Sequence, residues 1–273
     1  MLLCNLRLNL RRKQFKVITI MTCILSLWIG LTSVAAKAQS PNIEYREPEI
    51  QDVERFSYST YMTHGGPRCP QYYTHALAPS VGVTDAKDDV LMLFYVDNKS
   101  RSEQPQSLIG MQLELWPKDA QLEPLSYYYK SSLSIPTARL PAIIGFRIPQ
   151  AIIAQLEPEE SSYWEFYLIC DRPEDIEIID PRNSSSIDII GGFIYRKEPG
   201  ELMAELTRAR PLKQVELYAK NGFWYPALSK LAQLRRGMPN DDLLDYAWHS
   251  LLVSAGFDEE RWEGKLVNAP IWW

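Results

Sequence analysis

The feature that most constrains this chain is a change of apolar period at Pro199-Gly200. Before it, apolar side chains recur at every second residue or in short runs. After it, they recur at helical spacing. Strand side chains alternate with period 2 and helix side chains with period 3.6, so one kind of element cannot satisfy both patterns. The chain must therefore build a sheet region and then a helical one, and Pro-Gly supplies the break.

The first region opens at the turn cluster His64 to Pro70 and runs to about residue 198. Strands are predicted over Val90–Val96, Met111–Leu115, Leu125–Leu133, Ile143–Ile148, Tyr163–Cys170 and Ile187–Arg196. In the fifth, Trp164, Phe166, Leu168 and Cys170 share a face. Gly191-Gly192 reads as a bulge in the last. A short helix is allowed at Pro149–Leu156. Short strands separated by Pro, Gly, Asp and Asn clusters predict an antiparallel β-sandwich over residues 64–198.

Beyond the break, helices are predicted over Glu201–Ala209, from Leu212 to Asn221-Gly222, from Pro226 to Gly237, and from Asp241 to Gly256. Leu244, Trp248, Leu251 and Leu252 form the buried stripe of the last. Gly222 and Gly256 lie one tetratricopeptide period apart, with Ala227 and Pro239 between them. Residues 199–257 are therefore expected to form a tetratricopeptide-like hairpin, and an ordinary helical hairpin remains the alternative. The fold class expected is α+β, with 258–273 as a tail.

The N-terminus carries an address. Arg7 to Lys16 is basic, Val17 to Val34 is uncharged and apolar, and Ala36-Lys37-Ala38 offers small residues at a cleavage site. That tripartite pattern predicts an export signal over residues 1–38, cleaved after Ala38. The alternative is an uncleaved anchor, since the apolar run approaches the ~20 residues that span a bilayer. Residues 39–63 are polar and acidic, with Pro41 and Pro48, and read as a mobile leader. Removing the signal leaves 23 bases against 34 acids. A body so acidic, with no basic patch, repels nucleic acid.

Cys69 and Cys170 are the two cysteines downstream of the signal. In an oxidising compartment they are expected to pair. Two free thiols remain an alternative. So does a metal site using His64, His75 and Asp171, although no paired-ligand spacing is present.

Several pieces in order resemble a known family. They are Gly65-Gly66-Pro67-Arg68-Cys69-Pro70, Ala76-Leu77-Ala78-Pro79 and Leu93-Phe94-Tyr95-Val96. They continue with Tyr163 to Asp171, Gly192-Phe193-Ile194-Tyr195-Arg196 and Leu217 to Leu228. Over residues 65 to 256 the chain resembles domain of unknown function 928, a family of exported cyanobacterial proteins. The resemblance implies an envelope location and carries over no catalytic residue.

The first functional reading is a non-enzymatic envelope protein, periplasmic or extracellular, that binds another protein. Phe223, Trp224, Tyr225, Trp272 and Trp273 are the candidate contact anchors, but core packing is the favoured reading for Phe223 to Tyr225, because aromatics near helix starts seal hairpins. The second reading is binding of an envelope polysaccharide, with Tyr127, Tyr128, Tyr129, Trp116 and Trp164 as stacking candidates. Alternation sets Tyr127 and Tyr129 opposite Tyr128, so at least one of those faces is expected to be core and packing is favoured over a stacking platform. An enzyme is the third. No G-x-S-x-G, Walker loop, Rossmann glycine pattern or EF-hand loop occurs, so no catalytic residue, cofactor or metal is expected. The acid pairs Asp88-Asp89 and Glu159-Glu160 read as turn residues, and His249 as a helix residue. Membrane contact is expected only through an uncleaved signal.

Overall fold

The computed structural model of the 273-residue chain describes residues 41–48, 50, 69, 72–79, 81–98, 108–117, 128–134, 136–170, 187–257 and 269–272. The expected export signal, His64, Tyr127, Asp171 and Trp273 lie outside the described residues. The chain divides after Gln39, and residues Ser40–Trp273 form the unit described below.

Nine strands are described: β1 (Tyr72–Ala76), β2 (Val81–Thr84), β3 (Val90–Asn98), β4 (Leu108–Trp116), β5 (Tyr129–Leu133), β6 (Ala142–Ile148), β7 (Ser161–Cys170), β8 (Ile187–Arg196) and β9 (Ile271–Trp272). They form a four-stranded sheet in the order β1-β3-β6-β9 and a five-stranded sheet in the order β2-β8-β7-β4-β5. Phe94 of β3 stacks on Phe166 of β7 at 4.2 Å, and Phe146 of β6 meets the same ring at 5.9 Å. The two sheets therefore face each other across a layer of aromatic side chains. Such pairs add stabilisation beyond their buried area. Trp164, Phe166, Leu168 and Cys170 are buried, as the alternation of β7 requires.

Two expectations need correction. The sheets are not wholly antiparallel, because β2 pairs with β8 and β9 with β6 in parallel. Both added strands lie at a sheet edge, where any chain can add to unpaired backbone groups. Their direction follows from where the chain enters, which local pattern does not encode. Gly191-Gly192 also form no bulge. They pair in unbroken register with Glu165 and Trp164, and the irregularity lies between Leu108 and Gly110. A Cβ at Gly191 would lie 2.5 Å from the Tyr163 hydroxyl, and one at Gly192 2.5 Å from the Trp164 ring. The glycines are there to let those side chains cross β8.

Five helices are described: α1 (Gln150–Ile153), α2 (Leu202–Arg208), α3 (Pro211–Lys220), α4 (Trp224–Gly237) and α5 (Asp242–Ser254). Pro211 occupies the first helical position of α3, where its missing N–H is no loss. The Asp241 carboxylate caps α5 by accepting from the amides of Leu243 and Leu244. Helix α4 is the most deeply set. Its Ser229 Oγ accepts from the Leu91 amide of β3 at 2.8 Å. The core is continuous from strand residues such as Leu93 to helix residues such as Leu231. Pro199-Gly200 thus marks a change of element, not a break in packing.

The leader expected to be mobile over 39–63 is anchored over its described residues 41–48, which is a further correction. Ile43 and Tyr45 are buried. The Ile43 amide donates to Ser250 Oγ at 2.7 Å, and the Ser250 hydroxyl donates back to the Ile43 carbonyl at 2.8 Å. The Tyr45 amide donates to Ser254 Oγ, and the Arg46 amide to the Ala219 carbonyl. Two apolar residues two apart fill one side of an extended segment. In a polar stretch that short, they leave no sustained period to detect.

Candidate functional site

Cys69 and Cys170 form a disulfide, with Cα atoms 5.9 Å apart. Both residues are fully buried. The bond ties the segment ahead of β1, in one sheet, to the end of β7, in the other. It also takes both sulfurs away from any metal. His75, on β1, packs edge-on to Phe257 at 5.7 Å.

The aromatic run is core, as the packing reading has it, and this removes Phe223, Trp224 and Tyr225 from the contact candidates. Phe223, Trp224 and Tyr225 are buried, the last two completely. Gly222 holds φ 81° and turns the chain at the end of α3, driving the next three rings inward. Trp224 Nε1 donates to the Leu77 carbonyl at 2.9 Å, and its ring meets Tyr45 at 4.9 Å and Phe257 at 5.9 Å. Tyr225 lies on Gly82 of β2, where a Cβ would stand 2.3 Å from the ring. Trp272 is half-buried in β9, with the Arg139 guanidinium 4.6 Å over its ring. Of the stacking candidates, Trp164 is buried between the sheets, while Trp116, Tyr128 and Tyr129 are half-buried. Tyr129 donates its hydroxyl to the Arg147 carbonyl.

A polar cleft of about 330 Å3 lies where the β2–β3 turn, the end of β6 and α4 meet. Asp85, only 2 % exposed, sits at its foot. The Tyr218 hydroxyl of α3 donates to Asp85 Oδ2 at 2.9 Å, and the Lys87 amide donates to Oδ1 at 3.3 Å. Burial pushes the Asp85 carboxyl above its ordinary pKa, and these hydrogen bonds pull it back. Tyr218 is raised by burial first and by Asp85 second. On the rim, Lys230 Nζ pairs with Asp88 Oδ2 at 2.8 Å. Arg147 reaches Asp89 Oδ2 at 3.5 Å, and Asp89 Oδ1 accepts from the Gln150 amide at 2.9 Å. Asp88-Asp89 thus are turn residues, as read from sequence, and they also line a cleft. Sequence reasoning missed Asp85, because nothing local marks a turn carboxylate as buried.

A second polar cluster lies on the face of β7 opposite Phe166. Glu114 of β4 stands directly across from Glu165 of β7. Both are 5 % exposed. The Tyr167 hydroxyl lies between them, within hydrogen-bonding reach of Glu165 and 3.1 Å from Glu114. Lys130 of β5 pairs with Glu114 at 2.8 Å, and the Gln112 amide donates to the same oxygen at 2.7 Å. Burial, then the Glu165 charge, raises Tyr167. The Lys130 ammonium offsets the cost of burying Glu114.

The exposed large apolar side chains among the described residues concentrate on one helix. Leu243, Tyr246 and Val253 of α5 are 42 %, 47 % and 44 % exposed, and Met238 just before the helix is 47 % exposed. The three helix residues recur at spacings that keep them on the side of α5 away from buried Leu244, Trp248 and Leu251. Asp241 and Asp242 border them.

The family model described as Domain of Unknown Function (DUF928) matches residues 69–268. No curated protein matches the chain.

Proposed function

Because this chain belongs to the DUF928 family, whose description leaves activity open, we propose its function from its own surface: it is an exported, non-enzymatic envelope protein that binds another protein. The observation that carries this reading is the exposed apolar run Leu243, Tyr246 and Val253 on α5, with Met238 beside it. Clustered exposed apolar residues rimmed by polar ones mark interaction sites. The partner is a protein whose contact face is apolar and edged by lysine or arginine. Asp241 and Asp242 border the run, and the body carries 34 acids against 23 bases.

Two finer readings accompany it. The facing sheets are read as a β-sandwich. Helices α4 and α5 are read as one tetratricopeptide-like unit, supported by Gly222 and Gly256. These stand one repeat apart, and both turn the chain with positive φ (81° and 85°). In repeat arrays the outer helix of a terminal unit presents a face that a neighbour would cover. Export is supported by the segment pattern of residues 1–38.

The test uses the exported full chain in its native envelope. A stoichiometric complex should be isolated in mild detergent, its partner should present a basic-edged apolar face, and Y246D/V253D should release it. An unchanged complex in that variant, or a monomer throughout, would refute the reading. N-terminal sequencing of the exported protein should begin at Gln39.

A further inference from the structure

The polar cleft has a composition that selects for a particular chemistry. Three carboxylates, Asp85, Asp88 and Asp89, line it with three cations, Lys87, Arg147 and Lys230. The charges balance, so a net anion meets the carboxylates and a net cation meets the ammonium and guanidinium groups. The signs also alternate at short range, as the 2.8 Å pair of Lys230 with Asp88 shows. A ligand group there must donate to one neighbour and accept from the next. Hydroxyl does both.

The cleft also keeps unused hydrogen-bonding capacity. The Ser229 hydroxyl is committed to the Leu91 backbone, and Thr84 Oγ1 to the Asp85 carbonyl. The Lys87 ammonium and the Gln233 amide have no side-chain partner among the described residues. Lys230 has protons beyond the one given to Asp88, and Asp85 has lone pairs beyond those used by Tyr218 and the Lys87 amide. The volume of about 330 Å3 is at the small end of ligand sites. Its apolar lining is confined to Val90 and Pro226, so it offers no aromatic platform for an extended chain.

The geometry points to the cleft between the β2–β3 turn and α4 as a binding site for a neutral polyhydroxylated ligand of about one sugar unit. Asp85 and Asp88 accept from adjacent hydroxyls, while Lys230, Lys87 and Gln233 donate to them. The site shares no residue with the α5 surface proposed to bind protein, so the two readings fail separately.

Titration calorimetry of the mature chain tests it, with glucose, N-acetylglucosamine and myo-inositol as neutral probes. Glucose 6-phosphate and spermidine serve as the anionic and cationic probes. At least one neutral probe should bind at one site with Kd on the order of 1 mM. K230M and Q233A should each weaken it about tenfold, as expected for lost polar contacts. Both residues lie on the rim, so their unfolding midpoints should stay near that of the unaltered chain, and Y246D/V253D should leave the titration unchanged. No saturable binding of any neutral probe would overturn the assignment. So would tighter binding of the phosphate or the polyamine, or binding that survives both rim variants.

Discussion

The carboxyl of Asp85 is buried at the foot of the cleft, where desolvation raises its pKa and the Tyr218 hydroxyl opposes the rise. Between its ordinary value of 3.8 and its raised one, the folded chain holds a proton that the unfolded chain has released. Stability therefore falls as pH rises through that window, and the loss persists above it. Asp85→Asn keeps an acceptor for Tyr218 and removes the titration. Urea unfolding at closely spaced pH values from 3.8 upward should show a flatter profile in the variant. An unchanged slope would assign the pH dependence elsewhere. Gly82 matters for a different reason, because the fully buried Tyr225 ring occupies the space of its missing side chain. Gly82→Ala should cost about 1–3 kcal/mol, the usual range for forced overpacking, read as a lower urea midpoint. Neither residue announces itself in sequence. A turn aspartate looks solvated and a strand glycine looks permissive until the partner from α3 or α4 is in place.

At the scale of elements, local rules account for much of what is seen. Asp241 caps α5 through its carboxylate, so Asp241→Ala should cost about 1 kcal/mol, measured by chemical denaturation. Strand β7 buries the face its alternation predicts, and the helices after Pro199-Gly200 end where Gly222, Gly237 and Gly256 stand. The N-terminal segment follows a different rule. Its order comes from the serines of α5 and from Ile43 and Tyr45 entering the core, none of which is local to it. Ile43→Ala should lower stability by about 2–5 kcal/mol and raise hydrogen exchange at the amides of Ile43, Tyr45 and Arg46. Protection unchanged at those amides would show that the segment is held without its buried side chain. The short strands β1, β2 and β9 went unrecognised in sequence for a related reason. Two to five residues carry too little alternation to register, and each exists because a neighbouring strand offers it a free edge.

For the whole molecule, the Cys69–Cys170 disulfide is a cross-link between the segment ahead of β1 and the end of β7, and so between the two sheets. It spans a sequence separation of 101, and closing a loop of that length is worth up to about 4.7 kcal/mol in chain entropy. Unfolding in the presence of a reductant, or of the C69S/C170S variant, should therefore show a loss of about 2–5 kcal/mol. Equal midpoints with and without reductant would show that the buried core alone holds the sheets together. Sequence alone determined the division into a strand region and a helical region, most strand and helix positions and the cap of α5, and it led to the expectation, among alternatives, that Cys69 and Cys170 pair. The elements follow from period and capping chemistry acting within a few residues. Tertiary structure decided between core and contact surface for Phe223, Trp224 and Tyr225, and it alone decided that β2 and β9 join in parallel, that residues 41–48 dock on the helices, and that four charged groups of the β2–β3 turn meet Arg147 of β6 and Lys230 of α4 in one cleft. Each of those depends on burial between residues far apart in the chain. The same aromatic or aspartate has one local pattern whether its partner surface is water or protein.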